Sequence, residues 1–349
     1  MTYEVREVRE KDLWEEFSLG THPNTLLQSW SWGEFNESLG RTVWRFGVFK
    51  ENNLVAISLL IRNHTRLGDY LYCPHGPVFD WSDERVLDSL LAELADVAKD
   101  RGCIFMRFEP LLPENVESER VFQQRGFTRA PRYIQAQNVW LLPLDRSEDE
   151  ILAKMRKTTR YSIRHEGKQG INVTVSTAVE DAETFIGMLC STASRKNFAG
   201  TIHDREYYLK QFQVLAKAEQ EKIFIAREGD DILSMAVVAY YGDSAYYLHG
   251  ASHPNRKPSV GYSLQWEAIK EAKKMGCRHY NFWGVLREKD FQPKHPWYGF
   301  SLFKRGFGGL EYAYLSGQDY PLGSKYHLYR WMEQARRLAG RLKTGYWLD

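Results

Sequence analysis

A lysine or arginine recurs every fourth residue in one basic segment of the sequence. The four residues are Arg156, Arg160, Arg164 and Lys168. On a helix this spacing places the four cations along a single face. Such cations contact phosphate groups independently of nucleotide sequence, so the stripe predicts a site for the phosphates of a nucleic acid or of another substrate. The same pattern is equally typical of a solvent-exposed helix face.

A second basic segment lies near the carboxyl end, between Lys325 and Lys343. It is also either phosphate-binding or simply solvated. Its apolar residues would give a helix an apolar side for docking; they are Tyr326, Leu328, Trp331, Leu338 and Leu342.

The bulk composition is that of a folded protein. The 349 residues are 43% hydrophobic and 26% charged, with a net charge of +2, and a chain of this length predicts two domains. The four cysteines lack the close Cys/His spacing of a zinc site, so we expect free thiols and no metal. The charged amino terminus and short apolar runs predict neither a signal peptide nor a membrane span, and therefore a cytoplasmic protein.

Three landmarks occur twice in the same order, about 175 to 180 residues apart. The first is a strand, turn and strand pattern, at residues 46–60 and 223–238. The second is an amphipathic helix closed by Gly-Cys and followed by a strand, at Gly102 and Gly276, where a helix end favours a left-handed residue. The third ends in Gly-Phe, at residues 121–127 and 302–307.

The duplication predicts an α/β (α+β) fold of two domains, each with a hairpin, a helix, a strand and a second helix. This order resembles the GNAT acyltransferase fold present twice, each copy a mostly antiparallel mixed sheet flanked by helices. We expect the first domain at residues 1–146 and the second at 147–310, with a linker at residues 142–147. The alternative is two unrelated α+β domains.

Several stretches resemble the Fem family of non-ribosomal peptidyl transferases, in the family's order and over nearly the whole chain. They are Leu27–Phe35, Tyr72–Val78, Met155–Ile171, Tyr247–Ser252, Tyr280–Val285 and Leu302–Phe307. The resemblance implies that residues 311–349 return to the first domain. Some members carry a long helical arm in the second domain; residues 147–170 are too few for one, so the chain resembles the arm-less, FemX-like members.

The resemblance also implies an activity. Family members transfer an amino acid from aminoacyl-tRNA to an amine of a peptidoglycan precursor stem peptide, forming the interpeptide bridge. An ester donor is already activated, so the enzyme aligns the reactants and stabilises an oxyanion, with no cofactor. The expected partners are aminoacyl-tRNA and a UDP-linked or lipid-linked muramyl peptide precursor. Association with the inner face of the membrane is compatible with this activity, and no stable protein partner is implied.

The resemblance assigns roles to particular residues. Lys304, beside Phe303, matches the family lysine thought to act on the tRNA end and the tetrahedral intermediate; the alternative is an ordinary surface lysine. Glu109 lies where relatives have an acid that could serve as general base. The positions that match the precursor-binding residues of the family are Asn36, His203, Arg205, Tyr207 and His249.

These precursor-binding positions depart from the family pattern. Asn36 replaces a lysine, His203 falls where an arginine is expected, and Arg205 lies two residues further on. Tyr207 is kept, while His249 replaces a tyrosine and could instead be a core histidine. The loss of two cations disfavours a nucleotide-linked acceptor and favours a different head group.

Other functions remain open at this stage. An acyl-CoA-dependent N-acyltransferase would need a glycine-rich turn before a helix to hold the pyrophosphate. The corresponding residues 255–261 lack the paired glycines. A tRNA-dependent ligase acting on a non-cell-wall peptide, and a silent tRNA- or precursor-binding module, are the further alternatives.

Overall fold

The computed structural model describes residues 3–195, 202–253 and 260–346. The chain divides into a first unit, residues 1–137 and 313–349, and a second unit, residues 138–312. The boundary therefore lies before the one expected at residue 146. The reason is that the strand containing Leu142 pairs with Tyr280, in the sheet of the second unit.

The elements before the boundary are seven strands and four α-helices of the described residues. In chain order they are β1 (Tyr3–Glu7), α1 (Lys11–Gly20), α2 (Trp30–Ser38), β2 (Val43–Lys50), β3 (Asn53–Thr65), β4 (Gly68–His75), β5 (Val78–Phe79), α3 (Arg85–Asp100), β6 (Cys103–Pro110), α4 (Val116–Gln123) and β7 (Thr128–Arg129). Side-chain oxygens of Ser29 and Asn115 accept backbone N–H groups at the starts of α2 and α4, which fixes where these helices begin.

The second unit repeats this pattern, and two further elements return to the first unit. The second unit contains β8 (Asn138–Pro143), α5 (Glu148–Lys154), α6 (Lys157–Lys168), β9 (Asn172–Ser176), α7 (Val179–Arg195), α8 (Arg205–Lys217), β10 (Glu221–Glu228), β11 (Asp231–Tyr241), β12 (Ser244–Ser252), α9 (Tyr262–Lys274), β13 (His279–Gly284), α10 (Tyr298–Arg305) and β14 (Leu310–Ala313). The returning elements are β15 (Gln318–Pro321) and α11 (Lys325–Thr344). Between residues 147 and 170 the chain forms the two short helices α5 and α6.

Each unit is built on one mixed sheet. The strand order is β1-β2-β3-β4-β6-β15-β7 in the first sheet, with β5 beside β3, and β14-β8-β13-β12-β11-β10-β9 in the second. One parallel pair stands among antiparallel neighbours in each sheet: β4 with β6, and β12 with β13. The fold class expected from the duplication is confirmed.

The duplicated landmarks form the predicted turns. The first hairpin turns through Glu51 and Asn52, both with positive φ, and the second turns beside Gly229. Gly102 and Gly276 have φ of 69° and 82° and end α3 and α9 as expected. The third landmark differs between the repeats, because Gly126 has a φ of 82° whereas Gly306 has a φ of −63°.

Each sheet contains one strand that follows the other repeat in the sequence. β8 follows the first repeat but pairs with β13, and β15 follows the second repeat but pairs with β6. A buried ion pair secures β15: Arg107 donates to both carboxylate oxygens of Asp319, at 2.7 and 2.8 Å. Loss of one partner from a pair of this kind typically costs about 3–5 kcal/mol.

Apolar helix faces cover both sheets. The amphipathic helix α3 buries Leu87, Leu90 and Leu94 in the first unit. In the second unit α9 lies in one apolar cluster with Phe307, and α7 and α8 form another with residues of β10 and β11. The sheets are thereby held rigidly enough to position side chains at their strand ends.

Helix α11 docks on the first unit through a face that the sequence did not indicate. Tyr326 is fully buried and donates to Asp319 at 3.1 Å, while Arg330 and Arg337 donate to Thr128 and to the Pro131 carbonyl. Of the five apolar residues expected to dock, only Tyr326 does so. The expectation was wrong for Leu328, Trp331, Leu338 and Leu342, which are exposed because polar and aromatic contacts, rather than aliphatic ones, orient the helix.

Candidate functional site

The parallel strands of the second unit separate at their carboxyl ends. β12 and β13 pair with each other from Ser244 with His279 to Tyr246 with Asn281. Beyond these residues β12 continues to Ser252 and β13 to Gly284, but the two strands no longer pair with each other. In the first unit the equivalent pair, β4 and β6, stays paired as far as His75 with Pro110. Open α/β sheets bind ligands at the carboxyl ends of parallel strands. The gap in the second sheet is therefore the candidate functional site.

Irregular backbone accompanies the separation of the strands. β12 carries a bulge at Leu248, and β13 changes register between Asn281 and Gly284. Trp283 has a φ of 61°, uncommon for a residue with a side chain, and its N–H donates to the Asn281 side chain at 2.8 Å. Backbone in such conformations clusters at functional sites. Here it accompanies the separation of β13 from β12, while Gly284 stays paired with Val139 of β8.

Lys304 reaches the end of β13 from α10. Its Nζ donates to the Gly284 carbonyl oxygen at 2.7 Å and lies 5.8 and 5.2 Å from the ring centroids of Tyr247 and Phe300. Among the residues that the structure describes, no carboxylate pairs with this ammonium. Burial lowers the pKa of Lys304 to about 7. The side chain is thus poised between ammonium and amine near neutral pH.

Phe303 belongs to the core of the second unit. Its ring lies 5.0 Å from that of Tyr262 and 5.2 Å from that of Phe307. The end of α10 is held against α6, where a Cβ atom added to Gly306 would lie 2.5 Å from Thr159 Oγ1. These contacts fix the helix from which Lys304 projects.

Glu166 of α6 occupies the first turn of α9. The carboxylate is buried and accepts hydrogen bonds from the N–H and the hydroxyl of Ser263, at 2.8 and 2.6 Å. The free N–H groups and positive dipole end of a helix favour an anion at this place. Part of that capacity is already used by a carboxylate of the same unit. The residues from 255 to 259, examined in the sequence for a glycine-rich turn, lie outside the described residues.

The basic stripe is not one uniform face. Helix α6 begins at Lys157, so Arg156 precedes it, and the Arg156 N–H donates to the Gly306 carbonyl at 2.9 Å. Arg160 donates to the Ala153 carbonyl at 3.0 Å and to the Met155 carbonyl, at the end of α5. Arg164 and Lys168 are exposed. The four-residue spacing therefore combines a helix-capping arginine with exposed cations.

Three of the predicted precursor-binding residues lie together in the second unit. The His203 and Tyr207 rings stack with centroids 3.8 Å apart, and the His249 ring lies 5.0 Å from Tyr208. Tyr208, which the sequence did not single out, joins them, since its hydroxyl accepts the His203 N–H at 3.2 Å. Arg205 is exposed and pairs with Glu183 at 2.6 Å. The aromatic group runs from the exposed His203 to the half-buried His249.

A small cavity of about 10 Å³ lies beneath this aromatic group, with Tyr208, Gln211, Glu221 and His249 in its lining. Glu221 is buried and accepts a hydrogen bond from the Gln211 amide at 2.9 Å. Burial raises the pKa of Glu221 to about 8 and lowers the pKa of His249 to about 4. Both groups are therefore neutral at pH 7.

Asn36 lies in the first unit and does not present its amide to a ligand. The side chain is buried, donates to the Trp32 carbonyl at 2.8 Å and accepts from Arg41 at 2.8 Å. Its amide oxygen and nitrogen are thus each engaged within the unit.

Glu109, also in the first unit, is buried as well. It accepts hydrogen bonds from the Tyr72 hydroxyl at 2.6 Å and from the N–H groups of Ile134 and Gln135 at 2.6 and 3.0 Å. Burial raises the pKa of Glu109. Its carboxylate holds the segment around residue 134 in place, which is a positioning role.

Two negative findings apply to the described ranges. They contain no group of three or more His, Cys, Asp or Glu side chains placed to hold a metal ion. No helix in them combines the length and apolar character needed to cross a membrane.

Comparisons with known proteins agree with this fold. Residues 10–126 match the FemAB family, and residues 153–292 match an acetyltransferase (GNAT) domain. A lipid II:glycine glycyltransferase of Staphylococcus epidermidis is 23% identical over 381 residues, covering 88% of this chain and 91% of that protein. The crystal structure of FemX superposes with a TM-score of 0.84 at 19% identity, covering 95% of this chain and all of that one. A tandem GNAT protein from the clavulanic acid pathway gives a TM-score of 0.56 at 10% identity, covering 93% of this chain and 99% of that one.

Two GNAT-type units, one of which opens at its parallel strands beside a half-buried lysine, define a tandem GNAT-fold transferase. These comparisons support membership of the Fem family.

Proposed function

We propose that this enzyme transfers an aminoacyl group from aminoacyl-tRNA to an amine of a peptidoglycan precursor, with Lys304 at the reaction centre. The observation that carries the proposal is the position of the Lys304 ammonium at the open carboxyl end of β12 and β13, where the Gly284 carbonyl is its only hydrogen-bond partner among the described residues. A cation there can meet the negative charge of an acyl-transfer intermediate.

The reaction balances without an added nucleophile. The acceptor amine attacks the ester carbonyl carbon, a C–N bond forms, and the carbonyl electron pair moves to oxygen. The oxyanion then collapses, the bond from carbon to the ribose oxygen breaks, and the leaving hydroxyl gains the proton that the amine loses. Lys304 stabilises the oxyanion as an ammonium, and a pKa of about 7 also suits it to give one of its protons to the ribose oxygen and then to take up the proton that the acceptor amine loses.

The acceptor is proposed to be the lipid-linked form of the precursor. Relatives that align over most of this chain are named lipid II:glycine glycyltransferases. The departures at Asn36 and His203 remove two cations expected for a nucleotide-linked acceptor, and the side chain of Asn36 is engaged internally. Exposed Arg164 and Lys168 are proposed to contact phosphates of the tRNA. Aminoacyl-tRNA places the reaction in the cytoplasm.

An acyl-CoA donor is disfavoured by Glu166. In a CoA-dependent enzyme of this fold, free N–H groups at the start of a helix hold the pyrophosphate. At α9 the carboxylate of Glu166 already accepts from Ser263, and a second anion there would be repelled.

The test is a transfer assay with purified protein and single radiolabelled aminoacyl-tRNAs, glycyl-tRNA first. Lipid-linked and UDP-linked precursors serve as acceptors, and labelled acetyl-CoA is the control donor. We expect label on the lipid-linked precursor from at least one aminoacyl-tRNA and none from acetyl-CoA. Product from acetyl-CoA alone would overturn the proposal, and product only on the UDP-linked precursor would overturn the choice of acceptor.

A further inference from the structure

An apolar stripe runs along the solvent side of α11. Leu328, Trp331, Leu338 and Leu342 are 50%, 64%, 51% and 79% exposed. Together with exposed Ala335 they follow alternating steps of three and four residues, which places all five on one line along the helix. Four large apolar side chains in one exposed line are uncommon for a surface that meets only water.

The orientation of this stripe is fixed by the opposite face of the helix. Tyr326 is buried beneath the helix, Tyr329 stacks on Phe105 with centroids 4.8 Å apart, and Arg330 donates to the Thr128 hydroxyl at 3.1 Å. Rotating α11 to bury the stripe would break these contacts. The apolar line therefore faces away from the core of the first unit.

The charges beside the stripe have one sign. Lys325, Arg336 and Arg341 are exposed along its two borders. The acidic residue of the helix is Glu333, which is buried and lies within ion-pair distance of Arg132 and Arg336. The solvent side of α11 thus presents an apolar line bordered by basic side chains and by no carboxylate of its own.

We propose that this face of α11 binds the surface of an anionic phospholipid bilayer. An amphipathic helix with Trp and Leu on one side and basic residues beside them lies in the headgroup region, with its apolar side chains among the upper acyl chains. The basic residues gain from the negative potential of anionic lipids, and their long side chains can reach the headgroups. The helix would lie on the membrane without crossing it.

Two other occupants fit less well. A second copy of α11 packed along the stripe would set basic borders opposite each other with no carboxylate to pair them. A nucleic acid would contact the basic side chains but leave the leucines and Trp331 in water. The proposal goes beyond the proposed function and does not rest on it, because binding is measured without donor or acceptor.

The experiment is flotation of the full-length protein with vesicles. Vesicles of phosphatidylcholine alone are compared with vesicles containing about 30 mol% phosphatidylglycerol, a fraction chosen to give a clearly negative surface. We expect flotation with the anionic vesicles, little with the neutral ones, and weakening at about 0.5 M salt, because salt screens the basic borders.

The decisive variant is the double substitution Trp331→Glu and Leu338→Glu. It should reduce binding to anionic vesicles by at least about tenfold, the effect of losing two inserted apolar side chains. The matched control is Val116→Glu, on the first turn of α4 in the same unit, where Val116 is 76% exposed. The control should bind like the wild type. If circular dichroism shows that the double variant is misfolded, Leu328→Ser with Leu342→Ser replaces it.

The proposal is overturned if the wild-type protein does not float with anionic vesicles. It is also overturned if a folded stripe variant floats as well as the wild type, or if the Val116→Glu control loses binding as strongly as the stripe variant. Sedimentation without lipid tests the second copy. Self-association of the wild type that the stripe substitutions abolish would assign the stripe to a dimer. A gel-shift assay with tRNA tests the third occupant, since loss of tRNA binding in the stripe variant, with vesicle binding unchanged, would assign it to nucleic acid.

Discussion

Lys304 Nζ lies 2.7 Å from the Gly284 carbonyl oxygen, so the lysine of α10 is held by the residue that ends β13. Gly284 follows Trp283, which has a positive φ, and it lies just beyond the register change in β13. A carbonyl partner accepts from either the ammonium or the amine. The contact therefore positions Lys304 without fixing its protonation state, as a charge-stabilising and proton-transferring group requires.

The pH dependence of the rate should report on Lys304. Its pKa of about 7 means that the fraction of Lys304 in the ammonium form falls as pH rises above 7. The single-turnover rate of the wild type should therefore stop increasing with pH in this range. In Lys304→Arg the guanidinium stays protonated over this range. We expect a slower enzyme whose rate keeps rising with deprotonation of the acceptor amine. Parallel profiles for the two proteins would exclude Lys304 as the titrating group.

Gly306 should be intolerant of a side chain. A Cβ atom there would lie 2.5 Å from Thr159 Oγ1 and 3.0 Å from the Phe303 carbonyl oxygen. We expect Gly306→Ala to lower the free energy of unfolding by about 1–3 kcal/mol through overpacking. Gly299→Ala on the same helix, with no atom within 4 Å of the added Cβ, is the control and should be neutral or slightly stabilising. Urea denaturation measures both, and equal effects would contradict the crowding between α6 and α10.

Glu166 should stabilise α9 through its carboxylate. Glu166→Ala leaves the buried Ser263 N–H without its partner, at an expected cost of about 1–3 kcal/mol, and Glu166→Gln, which keeps one acceptor oxygen, should cost less. Exposed Glu148→Gln on α5 is the control and should change the free energy of unfolding little. A Glu166→Ala protein as stable as the wild type would remove the anchoring role.

Glu221 predicts a specific pH dependence of stability. Its pKa is about 8 in the folded protein, whereas the ordinary value for glutamate is 4.5, so between these values the folded state binds the additional proton. Stability from this group is therefore full below pH 4.5 and is lost as pH rises through 8. Glu221→Gln, nearly isosteric, should be increasingly more stable than the wild type from pH 5 to pH 9 in chemical denaturation. A constant difference would indicate an unshifted pKa.

The sequence predicted the elements that local chemistry determines. Turn residues such as Asn52 and helix-ending glycines such as Gly102 and Gly276 carry their own conformational preferences, and all three adopt positive φ. The exchange of β8 and β15 between sheets was not predicted in detail, because strand pairing depends on distant partners such as Asp319 and Arg107. The boundary near residue 137 follows from that exchange.

The site was only partly predictable. Lys304 was identified through the resemblance to the Fem family. Its depressed pKa and its contact with Gly284 depend on the backbone at Trp283, which no local sequence motif predicts. The spacing of Arg160 suggested a phosphate contact, whereas its side chain caps α5. Tyr208 was missed because the sequence does not show which of the two adjacent tyrosines, Tyr207 or Tyr208, faces His249. Periodicity likewise indicated that α11 has an apolar side but not which face is docked.

We propose that Lys304 stabilises negative charge during aminoacyl transfer. The single-turnover rate of the Lys304→Ala protein with aminoacyl-tRNA tests this role. We expect a loss of at least about 100-fold, the scale of one oxyanion-stabilising group. Lys289→Ala, an exposed lysine of the same unit, is the matched control and should keep the wild-type rate. A folded Lys304→Ala protein that transfers the aminoacyl group at nearly the wild-type rate would show that Lys304 does not stabilise this charge.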